Sequence, residues 1–420
     1  MFDYRHITDE CIKCGKCIPV CTIHQVSPDE TTSPRGFLEL LGSYQKGELA
    51  LDENAKAIFE SCFLCTNCVD VCPNKLETDM VIEQVRAEIA QEFGIAWFKR
   101  LFFTLLRHRS VMDLLARFGY VAKSCFFAEE PNKGMRPRFS MPIIKAGRIL
   151  PSVAKKSFLS SYPEEIPAAK ERKVAIFIGC MANYAYTSVG DSLVEVLSKL
   201  GLSIMIPKKQ LCCGAPAYFT GDFATVDYLI KHNITYFESF IGEVEAILIP
   251  EATCSSMMIN DWEKFLHDQP EWRERAKKIT QKCYIATKWL FSNTDLAQQL
   301  AAKGGMGHSL TYHDPCHARK TQGVWKEPRA LLSQNYTIKE MRDPNRCCGF
   351  GGVTIQTEKF HLAQAAGVPK AKMIEETGAD YVVAECSACR MQLSNALYQN
   401  CVPKTLFKNP IELIAEALRR

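Results

Sequence analysis

The chain has 420 residues, enough for two or three domains, and its 47% hydrophobic and 23% charged residues exclude wholesale disorder. Its 51 basic and 47 acidic side chains leave a net charge of +4, which is too small at this size to indicate a nucleic-acid partner. We therefore expect a globular protein that does not bind nucleic acid.

The N-terminal segment MFDYRHITDE is polar and carries charges of both signs, so it lacks the basic flank and apolar core of a signal peptide. Charged residues or prolines interrupt every apolar stretch before it reaches the ~18 residues that a membrane-spanning helix needs. We expect a cytoplasmic protein, with any membrane attachment peripheral and on the inner face of the cell membrane.

The chain contains 20 cysteines. The cytoplasm keeps thiols reduced, so clustered cysteines there indicate metal ligands or redox groups rather than disulfides. Most of the 20 fall into the repeated patterns described below. Cys125, Cys283 and Cys401 stand alone, and isolated cysteines are typically small buried apolar residues.

Two cysteine runs near the N-terminus share the spacing C-x2-C-x2-C-x3-C. The runs are Cys11, Cys14, Cys17 and Cys21, and Cys62, Cys65, Cys68 and Cys72. In this spacing the first three thiolates bind one 4Fe-4S cluster and the fourth reaches a second cluster. We therefore predict two 4Fe-4S clusters, one held by Cys11, Cys14, Cys17 and Cys72 and the other by Cys62, Cys65, Cys68 and Cys21. The alternative, two structural zinc sites, more often shows separated C-x2-C pairs.

The segment between the two runs is predicted to be helical, because apolar residues fall on one helical face at Phe37, Leu38, Leu40 and Leu41. After the second run, Thr78 is the predicted N-cap of a further helix. Its apolar positions have helical spacing at Met80, Val81, Val85 and Ile89. Residues 1–92 are thus expected to form a mainly α-helical two-cluster ferredoxin domain, which resembles that of respiratory iron-sulfur subunits.

Residues 93–125 are rich in basic and aromatic side chains, and Asp113 is the only acidic residue among them. Such a segment fits a helix that lies on an anionic membrane surface or docks onto a partner. It equally fits a core helix with solvated arginine tips. Residues 131–167 have weak periodicity, and we interpret them as a linker or a strapping segment. Residues 93–170 are therefore expected to connect two domains.

The C-terminal part repeats itself at an offset of about 130 residues. Cys180 matches Cys316, Cys212-Cys213-Gly214 matches Cys347-Cys348-Gly349, and Cys254 matches Cys386. We therefore expect two repeats, at residues 171–306 and 307–420. In each repeat, apolar strands alternate with helices and end close to the cysteines, which predicts an α/β fold with a parallel sheet and thiols at its carboxyl edge.

The two repeats differ in their thiol sets. The second repeat has five thiols, which are Cys316, Cys347, Cys348, Cys386 and Cys389. The first repeat has four, which are Cys180, Cys212, Cys213 and Cys254, and it places Met257 where the second repeat has Cys389. A thioether cannot supply a thiolate, so we expect an iron-sulfur centre in the second repeat and leave the first open between a cluster and a structural relic.

These motifs, together with YHDPCHARKTQGVWKEPRALL and CCGFGG, resemble the CCG-domain family. This family includes the catalytic subunit of heterodisulfide reductase and the iron-sulfur subunits of glycolate oxidase, lactate utilisation and anaerobic glycerol-3-phosphate dehydrogenase systems. The order of a two-cluster domain and two CCG repeats is most similar to glycolate oxidase iron-sulfur subunits. The resemblance implies a non-cubane 4Fe-4S cluster at the five thiols of the second repeat.

Two functions follow from the resemblance. In the first, a separate FAD-containing subunit oxidises a 2-hydroxy acid such as glycolate or lactate, and this chain relays electrons toward quinone or another membrane acceptor. The chain has no G-x-G-x-x-G or P-loop pattern of its own. In the second, the CCG centre itself acts on a thiol or disulfide, as in heterodisulfide reductase.

Polar residues flank Cys316 at His313, Asp314, His317 and Arg319. We interpret the histidines as hydrogen-bond donors to a cluster ligand in preference to catalysts. Lys370 is expected to be a solvated helix residue. No catalytic residue is predicted.

Overall fold

The computed structural model describes residues 5–130, 133–141, 144, 147–168, 171–402 and 404–420. Within them the chain forms an N-terminal group of helices, a connecting segment, and two α/β units with separate sheets. The predicted fold class is confirmed. None of the helices in these ranges is long and apolar enough to cross a membrane.

The N-terminal part is helical. Its helices are α1 (Arg5–Asp9), α2 (Thr22–Val26), α3 (Pro34–Gln45), α4 (Glu53–Phe59), α5 (Asn67–Val71) and α6 (Thr78–Glu92). Helix α3 confirms the predicted helical insert: the Ser33 hydroxyl accepts a hydrogen bond from the Gly36 amide, and Pro34 occupies the first turn. Helix α6 already includes Thr78, and Glu77 takes the N-cap position. The predicted N-cap was therefore wrong by one residue.

The apolar faces of α3 and α6 pack into one core. Its members include Phe37, Leu38, Leu41, Val81, Val85 and Ile89. The same core contains Cys316, Cys347 and Ile355 from the second α/β unit. Burial of these side chains against one another fixes the N-terminal helices onto that unit, so the two cysteine-rich regions lie side by side.

The connecting segment contains α7 (Trp97–Arg107), α8 (Arg109–Phe126) and an antiparallel hairpin of β1 (Phe127–Glu130) and β2 (Gly134–Pro137). Helix α7 packs into the core through Phe103 and Leu106. Helix α8 has no buried residue. The core-helix interpretation therefore holds for the first helix, whereas the second exposes its apolar side chains.

The described residues between 131 and 167 act as a strap. The Arg148 side chain donates to the Gln356 carbonyl at 2.7 Å, and the Ile149 amide donates to the Asn395 side chain at 3.0 Å. Helix α9 (Phe158–Ser161) follows. Parts of the predicted linker, at residues 131–132, 142–143 and 145–146, lie outside the described residues.

The first α/β unit has a five-stranded sheet with the strand order β3-β5-β4-β6-β7, parallel except for β3. Its elements are β3 (Glu165–Ile166), β4 (Lys173–Ile176), α10 (Gly179–Tyr184), α11 (Thr187–Lys199), β5 (Ser203–Met205), α12 (Ala215–Tyr218), α13 (Phe223–Glu238), β6 (Ala246–Ile249), α14 (Ala252–Ser256), α15 (Trp262–Phe265), α16 (Pro270–Thr280), β7 (Cys283–Ile285), α17 (Ala286–Asn293) and α18 (Leu296–Ala301). A π-helical turn, Met257–Asp261, joins α14 to α15.

The second α/β unit has a parallel four-stranded sheet with the order β11-β10-β8-β9. Its elements are β8 (Ser309–Tyr312), α19 (Cys316–Gln322), α20 (Lys326–Leu332), β9 (Thr337–Ile338), α21 (Gly352–Thr357), α22 (Phe360–Thr377), β10 (Tyr381–Val383), α23 (Ser387–Gln399), β11 (Leu406–Lys408) and α24 (Pro410–Arg419). Its order reproduces that of β5, β4, β6 and β7, which is the order expected of a duplicated unit.

The two units share one core, which contains Val174 and Leu193 of the first unit and Val383 and Ile414 of the second. Strand β3 begins at Glu165, ahead of the predicted start of the first repeat at residue 171. Among the isolated cysteines, Cys283 is buried as expected, but Cys125 and Cys401 are exposed, and for them the expectation was wrong.

Candidate metal centres

Each N-terminal cysteine run forms a tightly coiled loop. Backbone φ is positive on both sides of the second cysteine, at Lys13 and Gly15 in the first run and at Leu64 and Thr66 in the second. Non-glycine residues rarely adopt this conformation, and they cluster at functional sites when they do. The left-handed residues curl each loop, and the first three cysteines of each run line one small cavity.

The fourth thiol of each run lies near the other run. Cys21 is close enough to Cys62 and Cys65 for their charges to raise its pKa, although burial is the larger cause. One small cavity is lined by Cys21, Cys62, Cys65 and Cys68, and another by Cys11, Cys14, Cys17, Cys68 and Cys72. The crossed ligand sets stay a prediction, and this arrangement is compatible with them.

The second α/β unit gathers its five predicted thiols at the carboxyl edge of its sheet. Cys316 begins α19, Cys347 and Cys348 lie in the loop after β9, and Cys386 and Cys389 lie at the start of α23. All five are buried. Contacts between neighbouring thiols join them in the order Cys316, Cys347, Cys348, Cys389 and Cys386.

Gly349 is required where it stands in the CCG sequence. Its φ is +88°, and a Cβ at this position would lie 2.7 Å from the Cβ of Ala366. A side chain would therefore meet both backbone strain and a clash. The Gly349 amide donates to the Cys347 sulfur at 3.3 Å, so the glycine lets a backbone donor reach a cysteine sulfur.

This set of donors fits an iron-sulfur centre. Five thiolates in mutual contact inside a buried site would repel one another strongly unless a metal supplied positive charge. The imidazole of His313 is fully buried beside Cys348 and Cys389. Thiolate and imidazole ligands both suit iron.

The other polar residues around Cys316 have separate roles. Asp314 is fully buried and forms ion pairs with Arg319 and with Arg329, the latter at 2.6 Å. His317 stacks on Phe219 and bonds the Thr253 hydroxyl at 3.2 Å. Burial and the positive charge of Lys320 lower the pKa of His317 to about 4, and the nearby Cys348 thiol opposes them only slightly. Asp314 and Arg319 are therefore structural, and His317 connects the two units.

Lys370 is not solvated, so the expectation was wrong. It is fully buried, and its ammonium donates to the carbonyls of Asp343 and Pro344 at 2.8 and 3.1 Å. Burial lowers the pKa of Lys370 to about 8. Lys370 thereby fixes helix α22 to the loop that leads to Cys347.

The first α/β unit also gathers its four thiols. Contacts link Cys180 to Cys212, Cys212 to Cys213, and Cys213 to Cys254. Met257 is fully buried beside them, since its terminal methyl carbon lies 3.4 Å from the position of a Cβ on Gly214. The donors are thus assembled, but a thioether stands where the second unit has a fifth thiol.

A cavity of about 410 Å³ opens onto both thiol groups. Its lining comes from every part of the chain and includes Cys65, Phe98, Cys180, Cys254, His317 and Cys348. Apolar pockets with a few convergent polar groups are the usual binding sites of small molecules and cofactors. The cavity is therefore the point where the two units and the N-terminal part share one interior.

The N-terminal part touches the second thiol group directly. The Cys65 thiol contacts that of Cys347, and this contact, with the charge of Lys320, lowers the pKa of Cys65 despite burial. The Lys320 ammonium lies 3.6 Å from the Cys316 sulfur and 3.3 Å from the Cys65 carbonyl, and it also contacts the Asn67 side chain. One side chain thus bridges two predicted cluster sites.

Lys320 was not among the site residues predicted from the sequence. Burial disfavours its charge, but the thiols of Cys316 and Cys65 outweigh burial and raise its pKa. A usable signal existed, because residues four apart on a helix share a face and Lys320 follows Cys316 by four. Its contact with the N-terminal part had no local signal.

A buried arginine holds the same interface. Arg86 is 2% exposed, and its guanidinium donates to the carbonyls of Phe59, Cys62 and Phe219, at 3.1, 2.7 and 2.9 Å. These carbonyls belong to the N-terminal part and to the first α/β unit. Arg86 thereby ties the second cysteine run to both.

Carboxyl groups crowd together beside this interface. Burial and the negative charge of Asp79 raise the pKa of Asp261 to about 8, with Lys264 opposing. Burial also raises the pKa of Glu83, with Asp261 and Asp79 adding to the effect. Burial and mutual repulsion thus favour the protonated form of these carboxyls.

Two families match the chain. The family described as a cysteine-rich domain, CCG, matches residues 174–259 and 310–394. A 4Fe-4S dicluster domain matches residues 7–76. Both matches fall on the cysteine patterns described above.

The chain is similar to curated iron-sulfur proteins. It is 27% identical over 398 residues to the "Probable glycolate oxidase iron-sulfur subunit" of Bacillus subtilis, covering 91% of this chain and 87% of that protein. It is 31% identical over 227 residues to Lactate utilization protein A of Bacillus cytotoxicus, covering 54% of this chain and 91% of that protein. An uncharacterised iron-sulfur protein of Methanococcus maripaludis is 28% identical, with 92% of this chain and 67% of that protein covered.

A crystal structure of a hypothetical protein from Helicobacter pylori has a similar fold. The TM-score is 0.55 at 11% identity, and the match covers 96% of this chain and 71% of that one. At this identity the likeness concerns the fold alone.

Proposed function

The chain belongs to the CCG-domain family of iron-sulfur proteins, and from this we propose that it is the electron-transfer subunit of a flavin-dependent 2-hydroxy acid dehydrogenase. A partner subunit with bound FAD oxidises the hydroxy acid, glycolate or lactate, to the 2-oxo acid, which releases two electrons and two protons. The electrons pass through this chain to a quinone, which takes up two protons on reduction.

The observation that carries the proposal is the contact between Cys65 and Cys347. Cys65 belongs to the predicted ligands of one 4Fe-4S cluster, and Cys347 to those of the CCG centre. When bound, such clusters accept and release single electrons. The ligands of the two sites touch, so the chain holds them in one continuous series.

Side chains around the two neighbouring cluster sites favour electron transfer between them. Lys320 places a positive charge between Cys65 and Cys316, which favours added negative charge on either side. Arg86 fixes the carbonyl of Cys62 and so the orientation of the second run. Buried apolar side chains around both sites exclude water.

We assign two 4Fe-4S clusters to the crossed N-terminal ligand sets and a non-cubane cluster to Cys316, Cys347, Cys348, Cys386 and Cys389. The support is the coiled geometry of the runs, the mutual contact of the five thiols, and the two family matches. The first α/β unit supplies four thiols and a thioether, and we propose that it binds no cluster of this kind.

The direct test uses the full, cluster-replete chain without any flavoprotein. We expect it to accept electrons from dithionite. Glycolate and lactate should not bleach its iron-sulfur absorbance, and the chain alone should oxidise neither acid. Oxidation of either acid by the chain alone would refute the electron-transfer role.

We also propose that α8 contacts an anionic membrane surface. Four apolar side chains, spaced along one face of the helix, are 45% to 76% exposed: Val111, Leu114, Phe118 and Val121. Arg117 is exposed on the same helix, whereas Lys123 is paired with Glu129. An exposed apolar stripe with a basic residue on the same helix suits the interface of an anionic bilayer.

Vesicle sedimentation tests this surface. We expect Phe118→Asp to reduce binding of the full chain to anionic-lipid vesicles, whereas Val368→Asp, at an exposed apolar residue of α22, leaves it unchanged. Equal binding of both variants, or wild-type binding that does not depend on anionic lipid, would contradict a membrane role.

A thiol-disulfide function is the second candidate, because the cavity gives a small molecule access to the CCG thiols. It predicts turnover of a dithiol or disulfide by the cluster-replete chain with an artificial electron donor or acceptor. Absence of such turnover would exclude it.

A further inference from the structure

The imidazole of His313 is buried against the CCG thiols. It is fully buried, neither ring nitrogen bonds a backbone group, and the polar contact that the ring makes is with the Cys348 thiol. A ring nitrogen and the sulfurs of Cys348 and Cys389 all lie within 4.8 Å of one another. The imidazole therefore points into the thiol group.

A buried imidazole whose polar contact is with a thiol needs a physical reason. Buried polar groups almost always find a partner, because burial without one forfeits their hydration. Each His313 nitrogen would be better solvated in water than here. A thiol is a weak hydrogen-bond partner and offsets little of this cost, whereas a metal ion bound among the thiols would contact the ring directly.

The duplicated fold provides an internal comparison. His313 directly follows β8 and precedes Cys316 by three residues, and Phe177 directly follows β4 and precedes Cys180 by three. Their amides make equivalent bonds, from His313 to the Val383 carbonyl at 2.9 Å and from Phe177 to the Leu248 carbonyl at 3.0 Å. The two residues thus occupy the same structural position.

Phenylalanine satisfies that position in the first unit. Phe177 is 1% exposed and packs on Phe237 with ring centroids 6.0 Å apart. The fold therefore does not need a histidine there. The unit that has all five thiols carries the imidazole, and the unit that has Met257 in place of a thiol carries the phenyl ring.

We propose that His313 is an iron ligand of the CCG centre, binding through a ring nitrogen as a sixth side-chain donor beside the five cysteines. Imidazole is a common ligand of iron in proteins. As a neutral donor it leaves the site less negative than a sixth thiolate would, which raises the reduction potential. The inference depends on iron binding at this site and is independent of the electron-transfer role.

Nitrogen hyperfine spectroscopy tests the proposal on the full, anaerobically purified chain. With [15N]histidine incorporated, we expect the CCG centre in its paramagnetic state to show the strong coupling of a directly bound nitrogen. We expect His313→Phe, which copies the first unit, to lose this coupling. His317→Gln, at the other histidine near the thiols, should keep it.

The wild-type spectrum decides the question even if His313→Phe fails to fold. A weak coupling alone, as from a hydrogen-bonded ring, would overturn direct ligation. A strong coupling that persists in His313→Phe, or that disappears in His317→Gln, would also overturn it.

Discussion

Replacement of Lys320 by methionine is the sharpest perturbation of the proposed electron path. The change removes a positive charge that contacts both the Cys65 carbonyl and the Cys316 sulfur while keeping a side chain of similar length. An added electron on either neighbouring cluster would then lose a favourable interaction. We expect the reduction potentials of both clusters to fall.

The size of the effect follows from the distance. Two unit charges 3.6 Å apart, the separation of the ammonium and the Cys316 sulfur, interact by about 5 kcal/mol at an effective dielectric constant of about 20. An added electron spreads over a whole cluster, so we take roughly 2 kcal/mol as the part that each cluster loses. For a one-electron couple this corresponds to about 90 mV.

The assay is a redox titration followed by electron paramagnetic resonance. Lys320→Met should lower both potentials by this amount, whereas Lys320→Arg should keep them close to those of the wild type. Lys326→Met, at an exposed lysine of the next helix, is the matched control and should change neither. Unchanged potentials in Lys320→Met, or a shift of the CCG centre alone, would refute the bridging role.

Three further predictions concern other residues. Met257→Cys should complete the thiol set of the first unit and raise the iron content per chain, whereas Met257→Leu should not; an unchanged iron content in the cysteine variant would show that the thioether is not what limits the site. Arg86→Met should leave three buried carbonyls unpaired and lower the free energy of unfolding by roughly 3 kcal/mol in denaturant titrations, and a loss no larger than that of an exposed arginine would contradict its role. Asp261 has a pKa of about 8 in the folded protein against an ordinary value of 3.8, so the folded state retains a proton that the unfolded chain has lost between these values, and stability falls as pH rises through that window. Asp261→Asn should therefore be more stable than the wild type by roughly 1 to 2 kcal/mol at pH 8 and differ little near pH 4, whereas the opposite pH trend would show that the carboxyl is ionised throughout.

The cysteine patterns and the strands could be predicted from sequence because both are local signals. A C-x2-C-x2-C-x3-C run fixes its own loop, and apolar strands that end before cysteines bring these to one sheet edge. The matching offsets of Cys180 and Cys316 revealed the duplication, and the two sheets repeat the same strand order.

The features that sequence missed depend on contacts between distant parts of the chain. Lys370 looks like a surface residue of α22 until the loop at Asp343 supplies its two carbonyls. Whether a basic amphipathic helix is buried depends on what packs on it. Helix α7 therefore has buried residues and α8 has none, although the sequence of both is basic and aromatic. The approach of Cys65 to Cys347 follows from docking of the N-terminal helices, which spacing within either motif cannot show.

Anaerobic co-purification of this chain from its native membranes tests the central claim most directly. The visible spectrum and the masses of the partners are recorded while glycolate, lactate and glycerol 3-phosphate are added in turn. The account predicts a flavoprotein partner and bleaching of the iron-sulfur absorbance by a 2-hydroxy acid. A chain that is purified without a flavoprotein and does not respond to any hydroxy acid would contradict it and favour the thiol-disulfide function.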